Sequence, residues 1–391
     1  AQLVQVLWLS SNILVMLTTI LCLVFAAGGG DTLPAFTEKE WNILRSMSPA
    51  TLLPDTTNEY EQNEDAALLG QHIFFDERLS SNKEISCATC HEPEKYFTDG
   101  VQIAVGIGNM TRNTPTVLNA AHQRWFFWDG RTDILWGQPI QTMEHPAEMN
   151  ISRQDIAAVL EKDKKLEQLW TKTFGKMEES DIDTIAANVA KSIAAYITKL
   201  DATHAPFDDF VAGDTQAISP SAQRGLRYFI GEGGCLRCHF GPWITDGAFH
   251  SIGVGPIDGG ALKDSGRAGA IDKLKTDQFT AGGKHSDDPN GIRATLSKHI
   301  AKRREDWGSF RTPSLRNVAQ TPPYMHAGQL ATLEDVLEHY STLENFVSAD
   351  HHRETILEPL NLTEPQKVDL IAFLESLTAP LPNEALLTAP K

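Results

Sequence analysis

Cys87-Ala88-Thr89-Cys90-His91 decides how this chain is read, and it recurs as Cys235-Leu236-Arg237-Cys238-His239. Two thiols three positions apart add to the two vinyl groups of one haem, and the histidine that follows supplies an axial nitrogen to its iron. Zinc sites and thioredoxin-like redox pairs also use Cys-x-x-Cys. Neither accounts for a histidine directly after the second cysteine in both copies, nor for the use of four of the five cysteines in this pattern. Two covalently bound haem c groups are expected, attached through Cys87, Cys90, Cys235 and Cys238, with His91 and His239 as iron ligands.

At 391 residues the chain is long enough for two cores, and the wide separation of the motifs gives one haem to each. The expected division is a first haem domain over 31–213 and a second over 214–391, the latter with a polar insertion at about 256–307. Hydrophobic residues at 41% and charged residues at 22% describe an ordinary globular body. The net charge of -17 falls wholly after Gly30, because the first thirty positions carry no charged side chain. Such a body repels phosphate backbones, so nucleic acid is not an expected partner, whereas a basic patch on a small redox protein is attracted.

Leu3 to Ala27 is mostly apolar and is followed by small residues from Ala26 to Gly30. It has the length of an export signal and, counted from Leu3, also the length of a membrane anchor. Residues 1–30 are therefore expected to be a signal peptide or an anchor. No basic residue precedes the apolar run to orient it, and Leu21 is a poor fit to a lipoprotein site at Cys22.

Helical periodicity runs through Thr37–Met47, from Asn63 or Glu64 to Ile73, and through Arg153–Leu169, Asp181–Leu200, Ala222–Ile230, Leu333–Tyr340 and Glu364–Leu377. The fold class is mainly α. Residues 92–120 are rich in Gly, Pro, Asn and Thr and read as a pocket-building loop. Pro206–Ser221 reads as a linker, and 256–307, with Lys302-Arg303-Arg304, as a solvated surface insertion. A helix precedes each haem motif, so the halves look like diverged copies.

Arg112-Asn113-Thr114-Pro115-Thr116, Phe127-Trp128-Asp129-Gly130-Arg131 and Phe310-Arg311-Thr312-Pro313-Ser314-Leu315-Arg316-Asn317-Val318 carry a more specific signal. In these stretches the chain, from about Ala66 to Leu377, resembles the bacterial di-haem cytochrome c peroxidases and their relative MauG. The resemblance implies two cytochrome-c-like haem domains packed around an inter-haem tryptophan, at Trp128, and a calcium site. The calcium ligands carry over to Asn113, Thr321 and Pro323, hard oxygen donors suited to Ca²⁺. Read without the resemblance, Trp128 is a core aromatic and Thr321-Pro322-Pro323 an ordinary turn.

Peroxide chemistry needs an open side on one haem and a group that moves a proton between the peroxide oxygens. The resemblance puts that acid/base on Glu148 and a positioning amide on Gln138, with His145 a weaker candidate. By pattern alone Glu148 is a surface carboxylate near a helix start. Where many relatives carry a histidine that blocks the first haem, the segment Val105-Gly106-Ile107-Gly108 offers Ile107, so a permanently open first haem is expected.

Ordinary members ligate the second haem with methionine. The corresponding position, counted from Tyr324-Met325-His326-Ala327-Gly328, is Tyr340, and Met325 is the sole methionine after the second motif. A phenolate ligand favours oxidised iron and is the mark of the MauG branch; by helix pattern alone Tyr340 simply closes an apolar face, with His339 exposed. MauG's exit tryptophan is replaced by Gly233, which leaves Trp243, Trp125 and Trp136 as substitutes or as core packing. Three functions stay open. A MauG-like enzyme would use H2O2 to oxidise aromatic residues of a periplasmic protein substrate, a peroxidase would draw electrons from a small redox donor, and a third possibility is a non-catalytic carrier.

Overall fold

The computed structural model describes residues 35–49, 53–348 and 357–391. The described residues form thirteen α-helices. These are α1 (Glu38–Ser46), α2 (Glu64–Phe74), α3 (Cys87–Cys90), α4 (Gly137–Glu144), α5 (Arg153–Lys162), α6 (Lys164–Phe174), α7 (Ile182–Thr198), α8 (Pro206–Ala212), α9 (Pro220–Ile230), α10 (Arg267–Thr276), α11 (Ile292–Lys298), α12 (Leu333–Thr342) and α13 (Glu364–Glu375). One antiparallel pair, β1 (Phe249–His250) and β2 (Phe310–Arg311), sets Phe249 opposite Arg311. The mainly α expectation holds. No described helix is long and apolar enough to cross a membrane, and the apolar run Leu3–Ala27 lies outside the described residues.

Side-chain caps set the helix starts. Asn63 Oδ1 accepts the Asp65 and Ala66 N–H groups at the start of α2, and Asp181 Oδ1 accepts from Thr184 at the start of α7. The single helix expected over 153–169 is instead two. Asp163 turns its carboxylate onto the Lys165 and Leu166 N–H groups, ending α5 and opening α6.

Two crossed helix pairs carry the body. α2 meets α7 at Gly70, where a Cβ would lie 1.9 Å from the Ser192 carbonyl oxygen, and α9 meets α13 at Gly225, where it would lie 1.9 Å from the Asp369 carbonyl oxygen. Only glycine permits backbones to approach so closely. Phe74, Phe97 and Tyr196 pack beside the first crossing, and Phe207, Phe229 and Phe373 beside the second. In each pair one helix, α2 or α9, leads directly into the segment that carries a haem motif, and the other, α7 or α13, follows it in the chain.

Lys39–Lys391 forms one compact unit. The tail beyond α13 returns to the first half, where Gln71 Nε2 donates to the Ala385 and Thr388 carbonyls and Tyr96 Oη to that of Ala379. The 256–307 stretch is not the solvated insertion its polarity suggests. It folds into α10 and α11 and buries Ile271, Leu274, Phe279, Ala281 and Ala294. Arg267, 4% exposed, lies over Trp125 and Phe249 and donates to the carbonyls of Asp129 and Gly130. Its polar residues are thus spent on the first half: Asp264 pairs with Arg112, Asp287 with Lys191, and Arg293 donates to the Asp133 carbonyl. The expected linker is likewise shortened by α8, which buries Phe207 and Phe210 and packs on α13.

Candidate functional site

Cys87–Cys90 form one helical turn that begins at Ser86, whose N–H donates to Thr89 Oγ1 at 2.9 Å. The turn brings His91 beneath its own first cysteine, with His91 N–H donating to the Cys87 carbonyl. His91 Nδ1 lies 3.0 Å from the Phe97 carbonyl oxygen, and Phe97 adopts φ 58 to aim that carbonyl inward. The second motif repeats this arrangement, with His239 Nδ1 3.0 Å from the Ile244 carbonyl oxygen and Ile244 at φ 49. A carbonyl can only accept, so Nδ1 carries the hydrogen and Nε2 keeps the lone pair an iron ligand needs. Burial pushes both imidazoles toward the neutral form.

None of the four motif cysteines is in a disulfide, so all four thiols are available to a haem. Burial pushes the Cys87 and Cys235 thiols up to about 12 and Cys90 up to about 11.

A cavity of about 510 Å³ opens over His91. Cys87 and Cys90 line one side of it, and Trp128, Gln138, Glu148 and Arg311 line others. Arg311 tests the fit of a haem here. It is 6% exposed, its Nε has no partner, and burial pulls its guanidinium down to about 10. A buried cation with no carboxylate beside it among the described residues is costly. A haem contributes two propionates, which fit this need. Arg311 belongs to a motif singled out in the sequence, yet nothing local marks it as unpaired.

The side facing His91 is built by α4 and the turn after it. α4 carries Gln138 and Thr142, and Gln138 Nε2 donates to Thr142 Oγ1 at 2.9 Å. Thr142 and Glu148 line the same cavity, with the Thr142 hydroxyl on the side of the Glu148 carboxylate. Burial raises the Glu148 pKa above the usual carboxyl range, with Arg131 and Thr142 opposing the shift. Arg131 stacks 3.3 Å from the Phe127 ring centroid and reaches Asp129. His145 Nδ1 lies 3.8 Å from Glu148 Oε1 and is largely exposed. The expected pair Gln138 and Glu148 is thus brought together, and Thr142 is the member the sequence reading missed. Its signal was its place one helical turn after Gln138.

The loop that holds a histidine in many relatives is pinned to this turn. Ile107 N–H donates to the Glu148 carbonyl and Gly108 N–H to that of Ala147, while a Cβ on Gly106 would lie 2.6 Å from the Glu148 carbonyl oxygen. Trp128 donates from Nε1 to the Asn113 carbonyl at 2.9 Å, and its own carbonyl accepts from Arg311 N–H at 2.8 Å. The tryptophan is therefore tied to both halves of the chain.

On the second side, Tyr340 projects from α12 into the surroundings of Cys235 and Cys238, and burial raises its phenol pKa. His339 is not exposed as the helix pattern suggested: its Nε2 lies 2.9 Å from the Ile252 carbonyl oxygen. A Cβ at Gly233 would lie 2.8 Å from the Tyr228 ring, so a larger residue there needs that ring to move. Of the substitutes, Trp136 is fully buried and bonded to Thr57, and Trp125 is 7% exposed beneath Arg267. Trp243 is half-buried and stacks on His122 at 3.5 Å. It is adjacent to Ile244, whose carbonyl holds His239.

Asn113 commits Nδ2 to the Val101 carbonyl, which leaves Oδ1 as its oxygen donor, and its N–H donates to the His326 carbonyl. Thr321 and Pro323 lie in the turn ahead of Tyr324, with a cis bond between Pro322 and Pro323.

A helical body with two histidine-backed cysteine pairs, one beneath a cavity faced by a buried carboxyl, defines a di-haem c-type oxidoreductase. A family profile described as di-haem cytochrome c peroxidase matches residues 64–216. Cytochrome-c peroxidase IdrP2 of Pseudomonas sp. (strain SCT) is 36% identical across 79% of this chain and 80% of its own length. Methylamine utilization protein MauG of Methylorubrum extorquens is 35% identical across 83% of this chain and 80% of its own. Among solved structures, a MauG-like protein associated with microbial copper homeostasis aligns with a TM-score of 0.68 at 26% identity, covering 87% of this chain and 96% of that one. The chain belongs to the di-haem cytochrome c peroxidase and MauG family, and with it carries two haem c groups.

Proposed function

We propose that this enzyme is a MauG-like di-haem peroxidase of the periplasm that uses H2O2 to oxidise tryptophan or tyrosine side chains of a partner protein. The observation that carries the reading is Tyr340, half-buried on α12 beside Cys235 and Cys238, where a methionine would serve an electron-accepting haem. When bound, the haems supply the redox chemistry, taking two electrons from the partner for each peroxide reduced. Glu148 moves a proton from the inner peroxide oxygen to the outer one so that water can leave, and Gln138 orients the peroxide. Trp128 couples the halves, and Trp243, on the loop that anchors His239, is the exit toward the partner.

A haem domain over 31–213, a second over 214–391 and a Ca²⁺ held by Asn113, Thr321 and Pro323 complete the proposal. The Asn113 N–H bond to His326 supports the calcium reading by drawing the Asn113 segment to the turn that carries the other two. The second reading is a peroxidase supplied by a small redox donor, and the relative of that name at 36% identity favours it. Peroxide is added to the purified enzyme with and without candidate exported proteins, and mass spectrometry follows oxygen gain or hydrogen loss on aromatic side chains. Modified partner is the expected result. Rapid peroxide turnover with reduced cytochrome c or a small copper protein, and no modified partner, decides for the second reading.

A further inference from the structure

The two halves repeat one another in three dimensions at a constant spacing of 198 positions, beginning with Thr114-Pro115 and Thr312-Pro313. Asn119 and Asn317 follow, at φ 58 and φ 64, and each opens a short 3-10 helix. Each donates its Nδ2 to the same Ala202 carbonyl at 2.9 Å, and each Oδ1 accepts a backbone N–H. The next correspondence is a closed loop, with Phe126 bridged to Thr132 and Tyr324 bridged to Leu330. Inside these loops Phe127 and Met325 take φ 63 and φ 74, and Gly130 and Gly328 take φ 67 and φ 60. Two residues of each bulky, left-handed pair would not coincide in backbone by chance, since non-glycine residues rarely adopt positive φ.

The same spacing continues into the helices that follow. Leu135 and Leu333 are buried, as are Pro139 and Leu337 one turn later. The next turn sets Thr142 on α4 against Tyr340 on α12. We infer that Thr142 holds over the His91 haem the place Tyr340 holds over the His239 haem, and is a positioning residue there, its hydroxyl holding the Gln138 amide in the cavity that Glu148 also lines. The inference rests on the proposed reading of Tyr340 as a ligand.

Side-chain length and hydroxyl geometry explain why the substitution matters. A phenol carries its oxygen four ring atoms beyond Cβ and reaches an iron, whereas a threonine hydroxyl sits on Cβ itself and leaves the coordination side open. The hydroxyl has one hydrogen to give and lone pairs to receive. It accepts from Gln138 Nε2 at 2.9 Å. This commits Gln138 Nε2 to the helix and leaves Oε1 as the amide atom open to a ligand in the cavity. One residue pair thereby separates an open haem from a closed one within a duplicated frame.

The test uses the holoenzyme in its resting ferric state and reads electron paramagnetic resonance. Thr142→Tyr is expected to abolish the high-spin signal of the first haem while the second is unchanged. A high-spin signal of parental size, in a variant with two haems and native circular dichroism, overturns the equivalence. Tyr340→Thr, measured in parallel, is expected to convert the second haem to high spin. If its signal stays low-spin, the ligand reading of Tyr340 has failed; if it opens while Thr142→Tyr stays high-spin, the equivalence alone has failed. Thr142→Val keeps shape without the hydroxyl and does not depend on the tyrosine folding into place. It is expected to slow the peroxide reaction about two- to tenfold, the worth of one neutral hydrogen bond, and Thr142→Ser to restore it. A Thr142→Val enzyme as fast as the parent removes the positioning role.

Discussion

Glu148 shows how a single side chain is prepared for its work. Burial raises its pKa, and Arg131 and the Thr142 hydroxyl pull it back, so the carboxyl sits above the usual range without losing its ability to ionise. Removing a positioned acid/base slows a reaction by about 10²–10⁴-fold, and Glu148→Gln is expected to slow formation of the peroxide-oxidised enzyme by that order in stopped-flow measurements. Arg131 supplies a second prediction with a definite sign. Its positive charge favours ionised Glu148, so Arg131→Gln raises the Glu148 pKa further. A base must be deprotonated to accept the peroxide proton, so the acid limb of the pH–rate profile is expected to move to higher pH in the variant. A limb that stays in place or moves down contradicts the assignment.

Gly70 and Gly225 carry the argument at the level of elements. Each lets one helix lie directly on the backbone of another, at 1.9 Å for an added Cβ, and each sits on the helix that leads into a haem motif. Overpacking a close contact costs about 1–3 kcal/mol, or more where backbone must move. Gly70→Ala is expected to lower the melting temperature and the haem content of the purified protein, while an alanine at Gly213, where a Cβ meets nothing within 4 Å, reports only on its positive φ of 118. Arg316 ties more distant elements together. It is 4% exposed, pairs with Asp208 at 3.0 Å and donates to the carbonyls of Met47, Thr203 and Pro242. Breaking a buried pair from one side costs about 3–5 kcal/mol. Arg316→Met is therefore expected to be destabilised by that order in chemical denaturation.

Over the whole molecule, the stretch between 256 and 307 and the tail beyond α13 both close onto the first half, so Lys39–Lys391 packs as one unit. Arg112 is central to this closure, bound to Asp129 at 2.6 Å and to Asp264 at 2.8 Å. The acidic exterior that remains, with a net charge of -17, attracts a partner bearing a basic patch. The bimolecular rate with such a partner is expected to fall as salt rises toward about 0.15 M, where the Debye length is about 8 Å. An unchanged rate across that range would show that charge does not guide the encounter.

The cysteine–histidine motifs, the helix caps at Asn63 and Asp181, and the α-rich class were legible in the residues themselves, because each depends on neighbours within a few positions. Cys87, Cys90 and His91 meet through one helical turn, and no distant packing is needed to bring them together. The pairing of Gln138 with Glu148 was legible only through the family pattern, since the two are joined by a turn. The fate of the polar stretch from 256 to 307 was not legible at all. Lys, Arg and Asp look alike in sequence whether they meet water or a distant carbonyl, and here Arg267 finds Asp129 and Gly130. Packing likewise distinguished Trp243 from Trp125 and Trp136, and left Arg311 buried without a carboxylate. Sequence determined what is held by local covalent and hydrogen-bond geometry; the tertiary structure alone decided which charges and aromatics are buried, because burial is a property of residues far apart in the chain.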